Sequence, residues 1–241
     1  MTIHLVTGGT GFVGGALILE LLDQTDDQVI GLARPSEIGA HERLVAAVRH
    51  AAQAYGRDPA TVPMHRVRGI AGDVTRDGCG VEETGLRADM MWHSAASLRY
   101  EDRYESEIRA TNVGGMANAL TLARNSGVSV FNAISTAYVS GRKEGFLPEV
   151  PQSPASAQNH YERTKITAEA MAMAAEGMSV RILPPASSSA IPRPWPPRPS
   201  RACMASPARC WPIAASWSGC RRAWRAIAAC ASVPARTCRW T

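Results

Sequence analysis

Residues 2–14 read Thr2-Ile3-His4-Leu5-Val6-Thr7-Gly8-Gly9-Thr10-Gly11-Phe12-Val13-Gly14. The short apolar run at 2–7 ends at glycines, as a buried strand does. Phe12 to Leu22 is apolar with helical spacing. Between them, Gly8, Gly11 and Gly14 give G-x-x-G-x-x-G. In such a loop one glycine makes the turn, one lets the backbone approach a pyrophosphate, and one lets helix pack on strand. The helix then aims its free N–H groups and positive dipole end at the phosphates. Thr10, Phe12 and Val13 complete the expected cofactor-binding loop. A strand before and a helix after make this triplet far more specific than glycines alone.

The next strand, Gln28 to Ala33, decides which dinucleotide is expected. An acid at its end would bind the ribose 2′-hydroxyl of NAD. The chain instead continues into Arg34, which suits the 2′-phosphate of NADP. A solvated surface arginine is the plainer alternative. Asp73-Val74 follows the third strand, where a carboxylate accepts from an adenine amino group. Asp73 alone also reads as a turn residue.

Working outward, Glu37 to Tyr55 is amphipathic, with Leu44, Val48 and Ala51 or Ala52 on one face. Met64 to Arg68 alternates as a third strand, and Met90 to His93 ends a fourth. Tyr104 to Arg124 reads as one long helix and Val128 to Ile134 as a fifth strand. Tyr161 to Ala175 reads as a helix and Ser179 to Leu183 as a sixth strand. Strands alternating with helices predict an α/β fold, a doubly wound parallel sheet of Rossmann type.

Tyr161-Glu162-Arg163-Thr164-Lys165 is Y-x-x-x-K. On a helix these two residues share a face, so phenol and ammonium lie side by side. The ammonium is expected to lower the phenol pKa, and the phenol to exchange a proton beside a hydride transfer. Upstream, the fifth strand ends in Ile134-Ser135-Thr136-Ala137-Tyr138-Val139-Ser140-Gly141. The Thr136 hydroxyl is placed to bind a substrate oxygen, or to bond the backbone at the strand end.

Together these residues resemble the extended short-chain dehydrogenase/reductase family. The resemblance covers residues 1–183 and includes TGGTGFVG, GDV at Gly72 to Val74, HSAAS at His93 to Ser97, TNVGG at Thr111 to Gly115, STAYVSG and YERTK. It implies a catalytic Thr136, Tyr161 and Lys165, with Ser135 as the neighbouring hydroxyl candidate and Lys165 also holding the nicotinamide ribose. It implies that the segment with Ala95 and Ala96 passes the cofactor and that Asn112 braces a helix. Arg34 and ISTAYVSG look most like the thioester-reductase branch, whose members reduce acyl thioesters with NADPH. The expected function is therefore an NADP-dependent reductase of a carbonyl or a carrier-bound acyl thioester. A nucleotide-sugar epimerase or dehydratase, a non-catalytic NADP-binding protein and an inactive fragment are the alternatives.

Composition changes abruptly after Leu183. Residues 184–241 contain no Asp, Glu, Lys, His, Asn or Gln, yet hold nine Arg, five of the six Cys and ten of the sixteen Pro. Apolar periodicity stops there, so a packed core is not expected. A frameshift accounts for this composition. With each codon's last base joined to the next two, Trp195-Pro196 forces Ala, Met204-Ala205 forces Gly and Cys210-Trp211 forces Leu. Ser187 to Ser189, if coded TCN, become three apolar residues. The expected organisation is thus an NADP-binding domain over 1–183 and an out-of-frame, disordered tail over 184–241, with the substrate domain missing or scrambled.

The overall charge of +5 comes from that tail. Residues 1–183 carry 17 basic and 21 acidic side chains, a net −4 that gives no footprint for nucleic acid. Cys79 stands alone before the break, so neither a disulfide framework nor a metal cluster is expected, and His93 has no partner at ligand spacing. No leader-like segment and no apolar run near ~20 residues is present, so a cytoplasmic chain without a membrane span is expected. The residues say nothing of oligomeric state.

Overall fold

The computed structural model describes residues 1–143 and 150–185. The expectation of an uncored tail falls on residues outside this range, apart from Pro184 and Pro185. Six parallel strands form one sheet: β1 (Ile3–Thr7), β2 (Gln28–Ala33), β3 (Val67–Ala71), β4 (Met90–His93), β5 (Val130–Ile134) and β6 (Ser179–Leu183). Their order is β3-β2-β1-β4-β5-β6. The direction of winding reverses between β1 and β4. In a doubly wound sheet that reversal opens a crevice at the strand C-termini.

Helices α1 (Phe12–Gln24) and α2 (Ala40–Ala54) pack with one core; α4 (Gly115–Asn125) and α5 (His160–Met173) pack with the other. The two-residue period of the strands divides their side chains between these cores. Leu5, Met91 and Phe131 enter the core that holds Met116, Ala119 and Ala168. Val6 and Trp92, their neighbours in sequence, enter the core that holds Leu17, Leu44 and Val48. Leu44, Val48 and Ala52 are the buried face of α2, as the periodicity predicts.

Two expectations need correction. Met64–Arg66 is a turn of 3₁₀-helix, and the third strand begins at Val67. Arg66 explains the shift: its guanidinium donates 2.6 Å to the Thr25 carbonyl and 2.5 Å to Leu22 O, capping the end of α1. The long helix from Tyr104 is also interrupted. A 3₁₀ turn (Asp102–Tyr104), α3 (Glu105–Arg109) and a π-turn (Ala110–Gly114) precede α4. Asn112 lies in the π-turn, and its hydrogen bonds give that distortion a purpose described below.

Candidate active site

The glycine loop joins β1 to α1 at the crevice. Gly8 has φ +72°, and a Cβ there would lie 2.7 Å from Ala95 N and 2.8 Å from Ser94 Oγ. A Cβ on Gly14 would come within 2.2 Å of the Gly8 carbonyl oxygen. These glycines let the loop fold on itself and touch the segment after β4. Gly11 caps α1 with no side-chain hydrogen bond. Thr10, Gly11 and Phe12 are exposed, whereas Val13, Ala95 and Ala96 are half-buried. The start of α1 therefore presents backbone donors to the crevice.

Arg34 is exposed at the end of β2. A second cation accompanies it: the Arg43 guanidinium donates to the Arg34 carbonyl and, at 3.3 Å, to Ser36 Oγ. Asp73 is close enough to Arg34 and Arg76 to feel both charges. Its Oδ1 accepts from Thr75 N at 2.9 Å and Thr75 Oγ1 at 2.8 Å. Partial burial opposes ionisation there, but the Thr75 bonds and the two arginines prevail and lower the Asp73 pKa. Val74 packs below Gly115, and its carbonyl accepts from Asn118 Nδ2 at 2.8 Å.

The hydroxyl, phenol and ammonium meet where β5 faces the first turns of α5. Asn159 caps α5 by accepting from Glu162 N at 2.8 Å, and Glu162 accepts in return from Gln158 N at 2.7 Å. This reciprocal cap starts the helix one residue before Tyr161. Tyr161 and Lys165 are each 5% exposed. Lys165 Nζ donates to the Ile134 carbonyl at 2.7 Å. The Thr136 hydroxyl accepts from Tyr138 N at 3.3 Å and lies close enough to the Tyr161 phenol to lower its pKa. Ser135 is directed elsewhere, to the Glu169 carboxylate.

Electrostatics at this cluster differ from one expectation. Burial pushes the Tyr161 phenol up to about 12, and Tyr100 adds to the rise while Thr136 opposes it. Lys165, whose ammonium donates to the Ile134 carbonyl, is not among the groups that lower it. Burial brings Lys165 itself down to about 8, with Glu169 pulling the other way. His93 falls to about 3 through burial and then through Lys165. It is neutral, bonded to Thr7 Oγ1 at 2.8 Å, and so unsuited to acid catalysis at neutral pH. Cys79 is buried and raised to about 12, chiefly by burial, so it is no nucleophile.

Asn112 ties these pieces together. Its Oδ1 accepts from Ser97 N at 2.8 Å, and its Nδ2 donates to Ser97 O at 3.2 Å and Thr164 Oγ1 at 3.0 Å. The π-turn thus braces the segment after β4 against α5. Three residues near the site escaped the sequence reading. Arg43 gave no signal at all. Tyr100, whose ring lies 5.1 Å from that of Tyr161, sits in a loop without periodicity. Glu169 was readable in principle, one helical turn beyond Lys165.

A family model described as male sterility protein matches residues 6–196. The chain belongs to the male sterility protein family. The match runs past the change of composition at Leu183. Among relatives of this family member, the glycine betaine reductase of Emericella nidulans is 32% identical over 193 residues, 74% of this chain and 15% of its own. Fatty acyl-CoA reductase 8 of Arabidopsis thaliana is 27% identical over 168 residues, 61% of this chain and 33% of its own. The terminal R domain of the myxalamid PKS-NRPS pathway superposes with a TM-score of 0.66 at 28% identity, covering 77% of this chain and 48% of that one. The chain thus spans less than half the length of each.

A nicotinamide dinucleotide fits this male sterility family fold. The uncapped start of α1 and the crevice between β1 and β4 are on the same edge of the sheet as Thr136 and Lys165. Among the described residues no His, Cys, Asp and Glu cluster could hold a metal, and no helix is long and apolar enough to cross a membrane.

Proposed function

We propose that the chain is the cofactor-binding part of an NADP-dependent reductase acting on a carbonyl or a carrier-bound acyl thioester. The observation that carries this reading is the meeting of Thr136, Tyr161 and Lys165 beside the glycine-loop crevice. The names of the acyl-CoA reductase and glycine betaine reductase relatives support the reaction class. Gly8, Gly11 and Gly14, with the backbone of Thr10, Phe12 and Val13, would hold the pyrophosphate. Asp73 and Val74 would border the adenine, and Ala95 and Ala96 the ribose side.

Arg34 favours NADP over NAD, and Arg43 strengthens that choice by standing against it. When bound, the reduced cofactor supplies the hydride. Thr136 donates to the substrate oxygen and orients it. Tyr161 is neutral at ordinary pH, since its pKa stands at about 12, and so carries the proton that oxygen needs. Lys165, once it turns from Ile134 toward a bound ribose, brings its positive charge to the phenol and eases that transfer.

The test is cofactor binding and turnover in matched variants. Arg34→Ala should weaken NADP binding by about 1–3 kcal/mol and leave NAD binding nearly unchanged. In the frame-restored protein, Tyr161→Phe should cut reductase turnover by roughly 10²–10⁴-fold at unchanged NADP affinity. Equal affinity for the two cofactors would overturn the NADP assignment. An active protein that tolerates Tyr161→Phe would overturn the catalytic one. Turnover of a nucleotide sugar in place of a thioester would move the chain to the epimerase and dehydratase class.

A further inference from the structure

Two consecutive residues of β5 and its exit each grip one turn of α5. The Ile134 carbonyl accepts from Lys165, and the Ser135 hydroxyl donates to Glu169. Lys165 and Glu169 are one helical turn apart, so they share the face of α5 that also carries Tyr161. All are sealed from solvent: Lys165 is 5% exposed, Ser135 6% and Glu169 8%. A carboxylate buried this deeply is rare without a purpose or a partner. Among the described residues it accepts from the neutral Ser135 hydroxyl, and the cation that acts on it is Lys165.

We propose that Glu169, held in place by Ser135, is a positioning residue that keeps the Lys165 ammonium charged beneath Tyr161. The proposal rests on the reading of Lys165 as the partner of Tyr161. The surroundings of Lys165 leave few other candidates. β4 offers His93, which is neutral, and β5 offers the uncharged Ile134 carbonyl. From α5 itself come Tyr161, also neutral, and Glu169. Glu169, whose own pKa burial raises against the opposing pull of Ser135 and Lys165, is thus the carboxylate whose charge offsets the loss of water around the ammonium. Burial alone drives a lysine toward its uncharged form, and an opposite charge in the same low-dielectric region restores it. The arrangement also assigns separate tasks to adjacent hydroxyls. Ser135 holds the counter-ion, and Thr136 is left free to face the substrate.

The chain has only two lysines, Lys143 and Lys165, so each is separately visible by NMR after labelling with ¹³Cε,¹⁵Nζ-lysine. Lys143 is exposed and serves as the internal reference. In the full chain, Lys165 should titrate near 8. Glu169→Gln should lower that midpoint by about one unit or more, and Ser135→Ala should lower it by a smaller amount. Glu169→Asp, which keeps the charge, should recover part of the shift. A Lys165 midpoint that stays put in both Glu169→Gln and Ser135→Ala overturns the proposal. If Glu169→Gln does not fold, Ser135→Ala alone decides. The readout needs neither cofactor nor turnover. In the frame-restored protein, an intact shift without any thioester reduction would sink the reductase reading and leave this one standing.

Discussion

His93 shows how one buried side chain sets a pH limit on the whole domain. Its imidazole is 2% exposed, bonded to Thr7, and held neutral with a pKa of about 3 against an ordinary 6.5. The unfolded chain takes up a proton below 6.5 that the folded chain refuses. Stability from His93 is therefore full above that value and drains away as the pH falls toward 3. His4 acts in the same direction, since burial lowers its pKa as well. The expected outcome is a marked loss of unfolding free energy between about pH 7 and about pH 5, before the carboxylates titrate. His93→Asn should shrink that loss, as read from denaturant midpoints at the two pH values. An unchanged difference would mean that the acid sensitivity lies elsewhere. The sequence marked His93 only as part of a motif; its neutrality comes from depth, which no local pattern records.

The start of α5 fixes where the phenol and the ammonium stand. Asn159 and Glu162 cap it reciprocally, and Asn112 then clips Thr164 to the segment after β4. Asn159→Ala should destabilise the protein by about 1 kcal/mol, the usual cost of a lost cap. Urea unfolding should show a lower midpoint at an unchanged slope. A neutral result would mean that the tertiary packing of Tyr161 and Ile166 alone holds the helix end. Much of this was legible: β2 runs from Gln28 to Ala33 and β4 from Met90 to His93, as their patterns predict. What misled was tertiary. Met64 to Arg68 alternates like a strand, but Arg66 is drawn back to cap α1 and delays β3 to Val67. Thr111 to Gly115 reads as plain helix, whereas Asn112 must reach both Ser97 and Thr164, and the π-turn supplies the extra width.

Across the full chain, the composition break after Leu183 remains the dominant feature. We propose that the codons from about position 184 onward are read out of frame. Resequencing the DNA across Leu183 tests this directly, and restoring the frame should yield a protein with thioester reductase activity. Ordinary turnover by the chain as written would refute the proposal. Backbone pairing within the readable half reaches Leu183, whose carbonyl accepts from Ser135 N at 2.8 Å beside Thr136. The readable half therefore includes the strand that steadies the Thr136 turn.

The strand order also imposes a timetable. β1 emerges first during synthesis and can join β2 after a short stretch, since Ile3 is in register with Gln28. Its other flank must wait for β4, because Thr7 bonds His93 across 86 residues of chain. Bringing such distant segments together slows folding far more than it weakens the finished product. The seam between β1 and β4 is the floor of the dinucleotide crevice, so it closes late. A ribosome halted before residue 90 would hold a nascent chain with half a sheet and no crevice.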